Sequence, residues 1–167
     1  MDKNFNSIKI ENREDLSITT ETISTNELID LIYKGENLPQ DNRFLTTEEG
    51  GVFGYFEIKD LSLHQKDKFY PIIKVGDKIV GLSELLKDPF DIDKKNLCIQ
   101  FLSIDPKEQD NGYASKLAKE IFEFARKNNY SLEASSYTEK GFKKLRPVFE
   151  RLSKEYSDVK FINKERL

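Results

Sequence analysis

Cysteine, histidine and tryptophan are almost missing from this chain of 167 residues, which has one Cys, one His and no Trp. The single cysteine, Cys98, excludes an intrachain disulfide and indicates a reducing compartment. One cysteine and one histidine are too few for a Cys/His zinc site, so we expect no metal. Cys98 lies in an apolar run and is predicted to be a core residue, whereas His64 lies in a polar stretch that is typical of a surface loop.

Long apolar runs and a strong net charge are also lacking. No run approaches the length of a membrane span, and the N-terminus has no basic region followed by an apolar stretch, so we expect a cytoplasmic protein. A net charge of −3 gives no reason to expect binding to nucleic acid or to membranes. Residues 1–69 are acidic, whereas residues 70–167 are mildly basic. The basic half suits a polyphosphate ligand, but it also fits an ordinary solvated surface.

The chain does contain enough apolar residues for one folded domain, with 37% hydrophobic residues, 12 Phe and 7 Tyr. The first helix is predicted over 24–34, because Ser24 and Glu27 have capping-box spacing ahead of an apolar stripe. A polar stretch over 36–50 is predicted to be a loop.

Three strands are predicted next. The first covers 52–58, which is rich in aromatic residues. The other two, over 69–75 and 78–85, are separated by the pair Gly76-Asp77. Glycine at the first position of a two-residue turn favours a type II′ hairpin, so these two strands should be antiparallel neighbours.

The second half predicts a strand, a helix and another strand with short links. The continuous apolar run over 97–104 is typical of a strand covered on both faces, and Pro106 follows its end. Apolar residues recur at helical spacing over 113–128, with charged residues opposite. A strand over 130–135 follows. This order makes a crossover unit with parallel strands.

The C-terminal part predicts one more helix and one more strand. An apolar stripe runs from Phe142 to Tyr156 and is interrupted by Pro147, which should kink or restart the helix. A last strand is predicted over 159–162. Antiparallel strands first and a parallel crossover second predict an α/β fold with a mixed, mostly antiparallel sheet.

The loop before the long helix has the chemistry of an anion site. It reads Gln-Asp-Asn-Gly-Tyr-Ala from Gln109. The first N–H groups of a helix lack intrahelical partners and carry partial positive charge, so they bind phosphate where no bulky side chain blocks the approach. Gly112 and Ala114 keep that approach open. The alternative is an unrelated α/β domain in which Gly112 only ends a turn.

The strand 97–104, its Asp105-Pro106 ending, the loop and the following helix together resemble the acetyl-CoA motif of the GNAT acetyltransferase superfamily. That motif has the form Gln/Arg-x-x-Gly-x-Gly/Ala after a strand that ends in an aliphatic residue, Asp and Pro. The likeness is good over 70–135 and looser to 156. It implies one domain over 1–167, with acceptor-side elements in 1–69 and an acetyl-CoA-binding core in 70–156.

The resemblance also implies where acetyl-CoA would bind. The loop and the first helical residues would hold the pyrophosphate, and the backbone of the preceding strand would pair with the pantetheine arm, in a slot made where the two parallel strands splay apart. The implied coenzyme contacts are Leu102, Ser103, Ile104, Gln109, Asp110, Asn111, Gly112, Tyr113, Ala114 and Ser115.

The catalytic residues depart from the superfamily's pattern. Gln100 stands where a glutamate base is often found, and Phe149 stands where a tyrosine acid is often found. Glu84, near the end of the strand 78–85, is the candidate base, although it could instead be a solvated surface carboxylate. Tyr137 and Tyr156 are candidate acids, and Tyr156 also fits the core stripe. Proximity with a proton relayed by water is the remaining route.

Three function classes follow from the sequence, and the third is a purely structural α/β protein that would not bind CoA. The first is an N-acetyltransferase that moves an acetyl group from acetyl-CoA to a primary amine, on either a small molecule or a protein. The second is a catalytically degenerate module that binds acyl-CoA or a protein partner. The resemblance implies that residues 24–50 and 86–96 set the acceptor, and the acidic first half favours a cationic one. The sequence does not identify the acceptor or the oligomeric state.

Overall fold

The computed structural model describes residues 17–33, 65–134 and 143–163, whose strands form one six-stranded sheet in the order β1 to β6. β1 to β4 pair antiparallel, and β4, β5 and β6 pair parallel. The predicted mixed, mostly antiparallel sheet is thereby confirmed. The strands are β1 Ile18–Ser24, β2 Lys68–Val75, β3 Lys78–Lys87, β4 Asn96–Ile104, β5 Ser131–Ala134 and β6 Phe161–Asn163. The helices are α1 Thr25–Tyr33, α2 Tyr113–Lys127 and α3 Arg146–Glu155.

The hairpin that the sequence predicts is formed by β2 and β3. Val75 pairs with Lys78 across a two-residue turn, and Gly76 has a φ of +61°. A positive φ at the first turn position belongs to the turns whose twist matches that of the strands, and glycine adopts it without steric cost. The predicted antiparallel pair is confirmed, and β3 lies between β2 and β4 in the sheet.

The first helix begins at the predicted capping box. The backbone N–H of Glu27 donates to Ser24 Oγ at 3.2 Å, and the N–H of Ser24 donates to Glu27 Oε1 at 3.4 Å. The strand before it, β1, was not predicted from the sequence. β1 pairs only with β2 among the described strands and is mostly exposed, so it carries just two large apolar residues, Ile18 and Ile23, and shows no clear alternation.

Two apolar layers cover the sheet, one on each face. One face packs against α2 and α3, whose buried residues include Ile121, Phe122, Phe149 and Leu152. The other face packs against α1 through Leu28. The predicted apolar side of the long helix is confirmed. No helix within the described ranges has both the length and the apolar character that crossing a membrane requires.

Pro147 starts a helix rather than kinking one. It lies in the first turn of α3, where a proline has no hydrogen bond to lose. The final strand begins at Phe161, slightly later than predicted, and Val159 is buried in the turn before it. The predicted strand 52–58 and loop 36–50, and the residues Phe142, Tyr137 and His64, lie outside the described residues.

Candidate active site

A β-bulge in β4 determines which side chains face the long helix. The pairing with β3 shifts between Glu84–Phe101 and Leu85–Ile99, which makes Gln100 the extra residue of β4. Without this shift, Phe101 would lie on the same face as Ile99. With it, Phe101 packs on the α1 face, whereas Leu102 packs on the α2 face together with Ile99. The bulge thus turns Leu102 and Ile104 towards α2.

Among the described residues, the edge of β4 that faces β5 has no strand partner from the same point onwards. In the described part of the chain, the pairing of β4 with β5 ends at Ile99 and Ala134, while β4 runs on to Ile104. The strand therefore extends five residues beyond this pairing. Backbone groups at an unpaired strand edge can pair with another extended molecule.

The Asp105-Pro106 ending of β4 anchors the loop that follows. The N–H of Asp105 donates to the Val80 carbonyl at 2.8 Å, and its carboxylate accepts from the N–H of Lys107 at 3.0 Å. Asp105 thereby caps a short 3-10 turn, Pro106–Glu108. Lys78 holds this turn from β3, with its Nζ 3.0 Å from Glu108 Oε1. These contacts fix the loop relative to the sheet.

The N-terminus of α2 is open in the way that the sequence predicts. Its N-cap is Gly112, with a φ of +76° and no side chain to accept from the first N–H groups, and its first turn contains no acidic residue. A Cβ at this position would find no heavy atom within 4 Å. The N–H groups at this end are available to an anion, and the helix dipole favours one.

A cavity of about 300 Å³ lies between this helix start, the end of β4 and the residues around the start of α3. Nine of the ten coenzyme contacts that the sequence implied line it, and Asn111 is the exception. Asn111 instead donates to the Glu108 carbonyl at 3.0 Å and so supports the loop from within. The lining residues are Leu102, Ser103, Ile104, Glu108, Gln109, Asp110, Gly112, Tyr113, Ala114, Ser115, Lys144, Leu145 and Val148.

Some of the residues that line the cavity were not predicted from the sequence. Lys144, Leu145 and Val148 form the wall on the α3 side. The apolar stripe of the last helix contained Leu145, but nothing in the stripe said that its N-terminal end would face the loop. That juxtaposition comes from the parallel crossover, which brings α3 beside α2.

Glu84, the candidate base, is buried and therefore is not the solvated carboxylate that was the alternative. It is 5% exposed and accepts a 2.8 Å hydrogen bond from the Tyr70 hydroxyl. Burial raises the pKa of Tyr70 well above its usual range, and the Glu84 carboxylate adds to the shift. Glu84 pairs with Phe101 beside the bulge, but it is not among the residues that line the cavity. Tyr70 was not singled out from the sequence.

The other candidate residues lie apart from the cavity. Gln100 is exposed at the bulge, and Phe149 is 2% exposed in the core, with its ring near that of Phe122. The Tyr156 hydroxyl donates to Glu123 Oε1 at 2.6 Å, and burial together with this carboxylate raises the pKa of Tyr156 to about 12. Tyr156 is thus a core-stripe residue with a surface partner.

Cys98 is a correction to the predicted core. It is only half-buried, and its thiol donates to Glu133 Oε2 at 3.3 Å. Cys98 is less buried than its neighbours in the apolar run of β4 because alternate residues of a strand face opposite sides of the sheet. Leu97 and Ile99 face α2 and α3, so Cys98 faces the opposite side of the sheet.

A comparison with protein families identifies the family of this chain. The model of the acetyltransferase (GNAT) family matches residues 31–153. The chain belongs to the GNAT acetyltransferase family. It is therefore an acyltransferase by family, and the resemblance inferred from β4, the loop and α2 is confirmed. No curated protein matches the chain in sequence.

Solved structures of GNAT proteins share the fold. An aminoglycoside acetyltransferase, meta-AAC0020 from an uncultured soil metagenomic sample in complex with sisomicin, has 18% identity and a TM-score of 0.55, over 87% of this chain and 90% of that one. The GNAT acetyltransferase from Streptococcus pneumoniae has 11% identity and a TM-score of 0.56, over 81% and 83%. One from Staphylococcus aureus has 22% identity and a TM-score of 0.52, over 75% and 91%. At such identities the likeness concerns the fold alone.

Proposed function

We propose that this protein is an N-acetyltransferase that transfers an acetyl group from acetyl-CoA to a primary amine. Residues 1–69 would supply acceptor-side elements and residues 70–156 the coenzyme core of a single domain. The observation that carries the proposal is the cavity beside β4, into which the uncapped start of α2 opens at Gly112. Membership of the GNAT family supports the acyl-transfer chemistry.

The two ends of the cavity suit the two parts of the coenzyme. The N–H groups that follow Gly112 suit the pyrophosphate, because they are polar, uncapped and unobstructed. The edge of β4 from Leu102 to Ile104 suits the pantetheine arm, whose amides can pair with exposed strand groups. The acyl end would then lie towards the bulge at Gln100.

The reaction needs the amine to lose a proton as its nitrogen forms a bond to the thioester carbonyl carbon. The carbon–sulfur bond then breaks, and the thiolate leaves with a proton from solvent or from an acid. We propose Glu84 as the base that takes the amine proton. Because Glu84 does not line the cavity, the proton would reach it through a water molecule. Proximity within the cavity supplies the remaining acceleration.

The acceptor is proposed as a primary amine on a small molecule or a protein. The net negative charge of residues 1–69 favours a cationic acceptor, since a negative field concentrates cations near the site. The similarity between this chain and the aminoglycoside acetyltransferase concerns the fold only, so it supports no particular acceptor for this chain.

A second candidate is a binding module that holds acyl-CoA without turning it over. Two observations favour it. Gln100, which cannot act as a base, is exposed at the bulge, and Phe149, which has no hydroxyl, is buried in the core. These are the positions where the family often has a glutamate and a tyrosine.

Turnover separates the two candidates. The protein would be incubated with acetyl-CoA and a panel of primary amines that includes polyamines, aminoglycosides and lysine peptides. An enzyme releases free CoA in step with an acetylated product, which mass spectrometry detects as a fixed mass increase. If CoA binds but no amine of the panel is acetylated above the uncatalysed rate, the binding module is favoured.

A further inference from the structure

Two oppositely charged side chains face each other across the proposed coenzyme cavity. We propose that Lys144 binds a phosphate group of the coenzyme, and that Asp110 is the partner that the phosphate displaces. This inference rests on the proposed function, because it assigns one more residue to the same site. Lys144 belongs to none of the sequence motifs that pointed to the coenzyme.

The geometry of the pair places it across the cavity. Lys144 Nζ lies 3.8 Å from Asp110 Oδ1, and both residues line the cavity. Asp110 comes from the loop before α2, whereas Lys144 comes from the segment just before α3. The ion pair therefore joins two walls that are far apart in sequence. Both side chains are largely exposed, so a ligand can reach them from solvent.

The charges of the cavity single out Lys144. Among the described residues that line it, three are charged, and Lys144 is the cationic one. The carboxylate of Glu108 already has the Lys78 ammonium at 3.0 Å. A phosphate that approaches the start of α2 therefore meets one lining cation, and that cation is held by a single exposed carboxylate.

Exchanging Asp110 for phosphate costs little. Exposed ion pairs stabilise a protein weakly, because water screens both charges and two side chains lose freedom. A coenzyme phosphate offers several acceptor oxygens to the ammonium, and lysine is a common phosphate ligand in proteins. Once released, the Asp110 carboxylate stays solvated. Lys144 would then bind the anion from the side opposite the N–H groups of α2.

The test measures the dissociation constant of acetyl-CoA by titration calorimetry. Lys144→Gln removes the charge and should weaken binding about tenfold, the effect expected for one charge-assisted hydrogen bond. Lys143→Gln is the matched control, because Lys143 is also exposed but does not line the cavity. It should bind like the wild type.

Asp110→Asn tests the displaced partner. Asp110 has a φ of +67°, a conformation that asparagine also tolerates, so the loop should keep its shape. Removing the carboxylate should tighten acetyl-CoA binding, because it removes both the competitor and a repulsion towards phosphate. The difference in acetyl-CoA affinity between the wild type and Lys144→Gln should also become smaller at high salt, because salt screens the charge of Lys144.

Each result has a defined meaning. A wild type that binds acetyl-CoA, with Lys144→Gln and Lys143→Gln equal to it, overturns this inference and leaves the proposed function standing. A wild type that does not bind acetyl-CoA overturns both. Weaker binding by Asp110→Asn also overturns the inference. Dephospho-CoA, which lacks the 3′-phosphate, shows which phosphate Lys144 binds. If Lys144→Gln weakens its binding as much as that of acetyl-CoA, Lys144 binds the pyrophosphate. If the substitution has no effect on its binding, Lys144 binds the 3′-phosphate.

Discussion

The hydroxyl of Tyr70 donates a 2.8 Å hydrogen bond to Oε2 of Glu84, between the neighbouring strands β2 and β3. Both side chains are buried, and none of the ion pairs formed by the described residues includes Glu84. Because burial raises the pKa of Tyr70, its hydroxyl remains protonated and keeps donating. The pair holds a carboxyl group at a fixed place beside the bulge of β4.

Glu84→Gln keeps the size of this side chain and removes its ability to accept a proton. If Glu84 takes the amine proton, kcat should fall by about a hundredfold or more, the usual value of general-base help. The loss should be largest at low pH, where more of the acceptor amine is protonated. The dissociation constant of acetyl-CoA should not change, since Glu84 does not line the cavity.

Steady-state kinetics between about pH 6 and pH 9 make the comparison. Glu21→Gln is a suitable control, because Glu21 lies on the exposed strand β1 with only a partly exposed Lys74 as its ion-pair partner. An unaltered kcat in Glu84→Gln over this pH range would show that Glu84 is a bystander and leave proximity as the mechanism.

Tyr70→Phe tests the pair by stability rather than by rate. The variant leaves a buried carboxylate without its hydroxyl donor, which should lower the free energy of unfolding by about 1–3 kcal/mol. In a Glu84→Leu background the same change should cost less, because the two residues interact directly. Urea unfolding of the four proteins measures the coupling. Equal losses in both backgrounds would mean that the hydrogen bond contributes nothing.

The sequence predicted the parts of the fold that local rules determine. The Ser24–Glu27 capping box, the glycine turn of the hairpin and the apolar side of α2 are each set by neighbours along the chain. β1 was missed because an edge strand with an exposed face needs few apolar residues. The position of β1 in the sheet is determined by its pairing with β2, which lies about fifty residues later in the sequence.

The candidate site divides in the same way. The loop and the end of β4 were predictable, because one continuous segment carries them. Lys144 was not, since its distance to Asp110 depends on how α3 packs beside α2. The burial of Glu84 was also missed: its strand position was correct, but the sequence alone did not say that Tyr70 would face it.

Gly112→Glu tests the anion site directly. The new side chain would bring bulk and negative charge to the place proposed for the pyrophosphate, so acetyl-CoA binding should be lost. The fold should survive, because a Cβ there meets no atom within 4 Å and the positive φ costs about 1–2 kcal/mol. Gly112→Ala has the same φ penalty without the charge and should bind more tightly than Gly112→Glu. Equal affinity in the wild type and Gly112→Glu would remove this loop from the site.

Tyr156→Phe should show a pH-dependent loss of stability. The hydrogen bond from Tyr156 is the main cause that lowers the pKa of Glu123, so it favours the charged carboxylate in the folded state. Such stability is present above the unfolded-state pKa of glutamate, about 4.3, and disappears as the pH falls through the lower folded-state value. The variant should therefore be less stable at neutral pH, by about 1 kcal/mol or less because Glu123 is partly exposed. Unfolding at about pH 7 and about pH 3 checks this, and a difference that grows in acid would contradict it.

Binding of acetyl-CoA in the cavity beside β4 should be visible in the melting temperature of the protein. A ligand that binds the folded state alone stabilises it, and the melting temperature rises with the ratio of the free ligand concentration to the dissociation constant. Acetyl-CoA should raise it, and CoA should raise it by a similar amount, because the phosphates make most of the proposed contacts. A melting curve that stays unmoved at saturating acetyl-CoA would mean that the cavity does not hold the coenzyme.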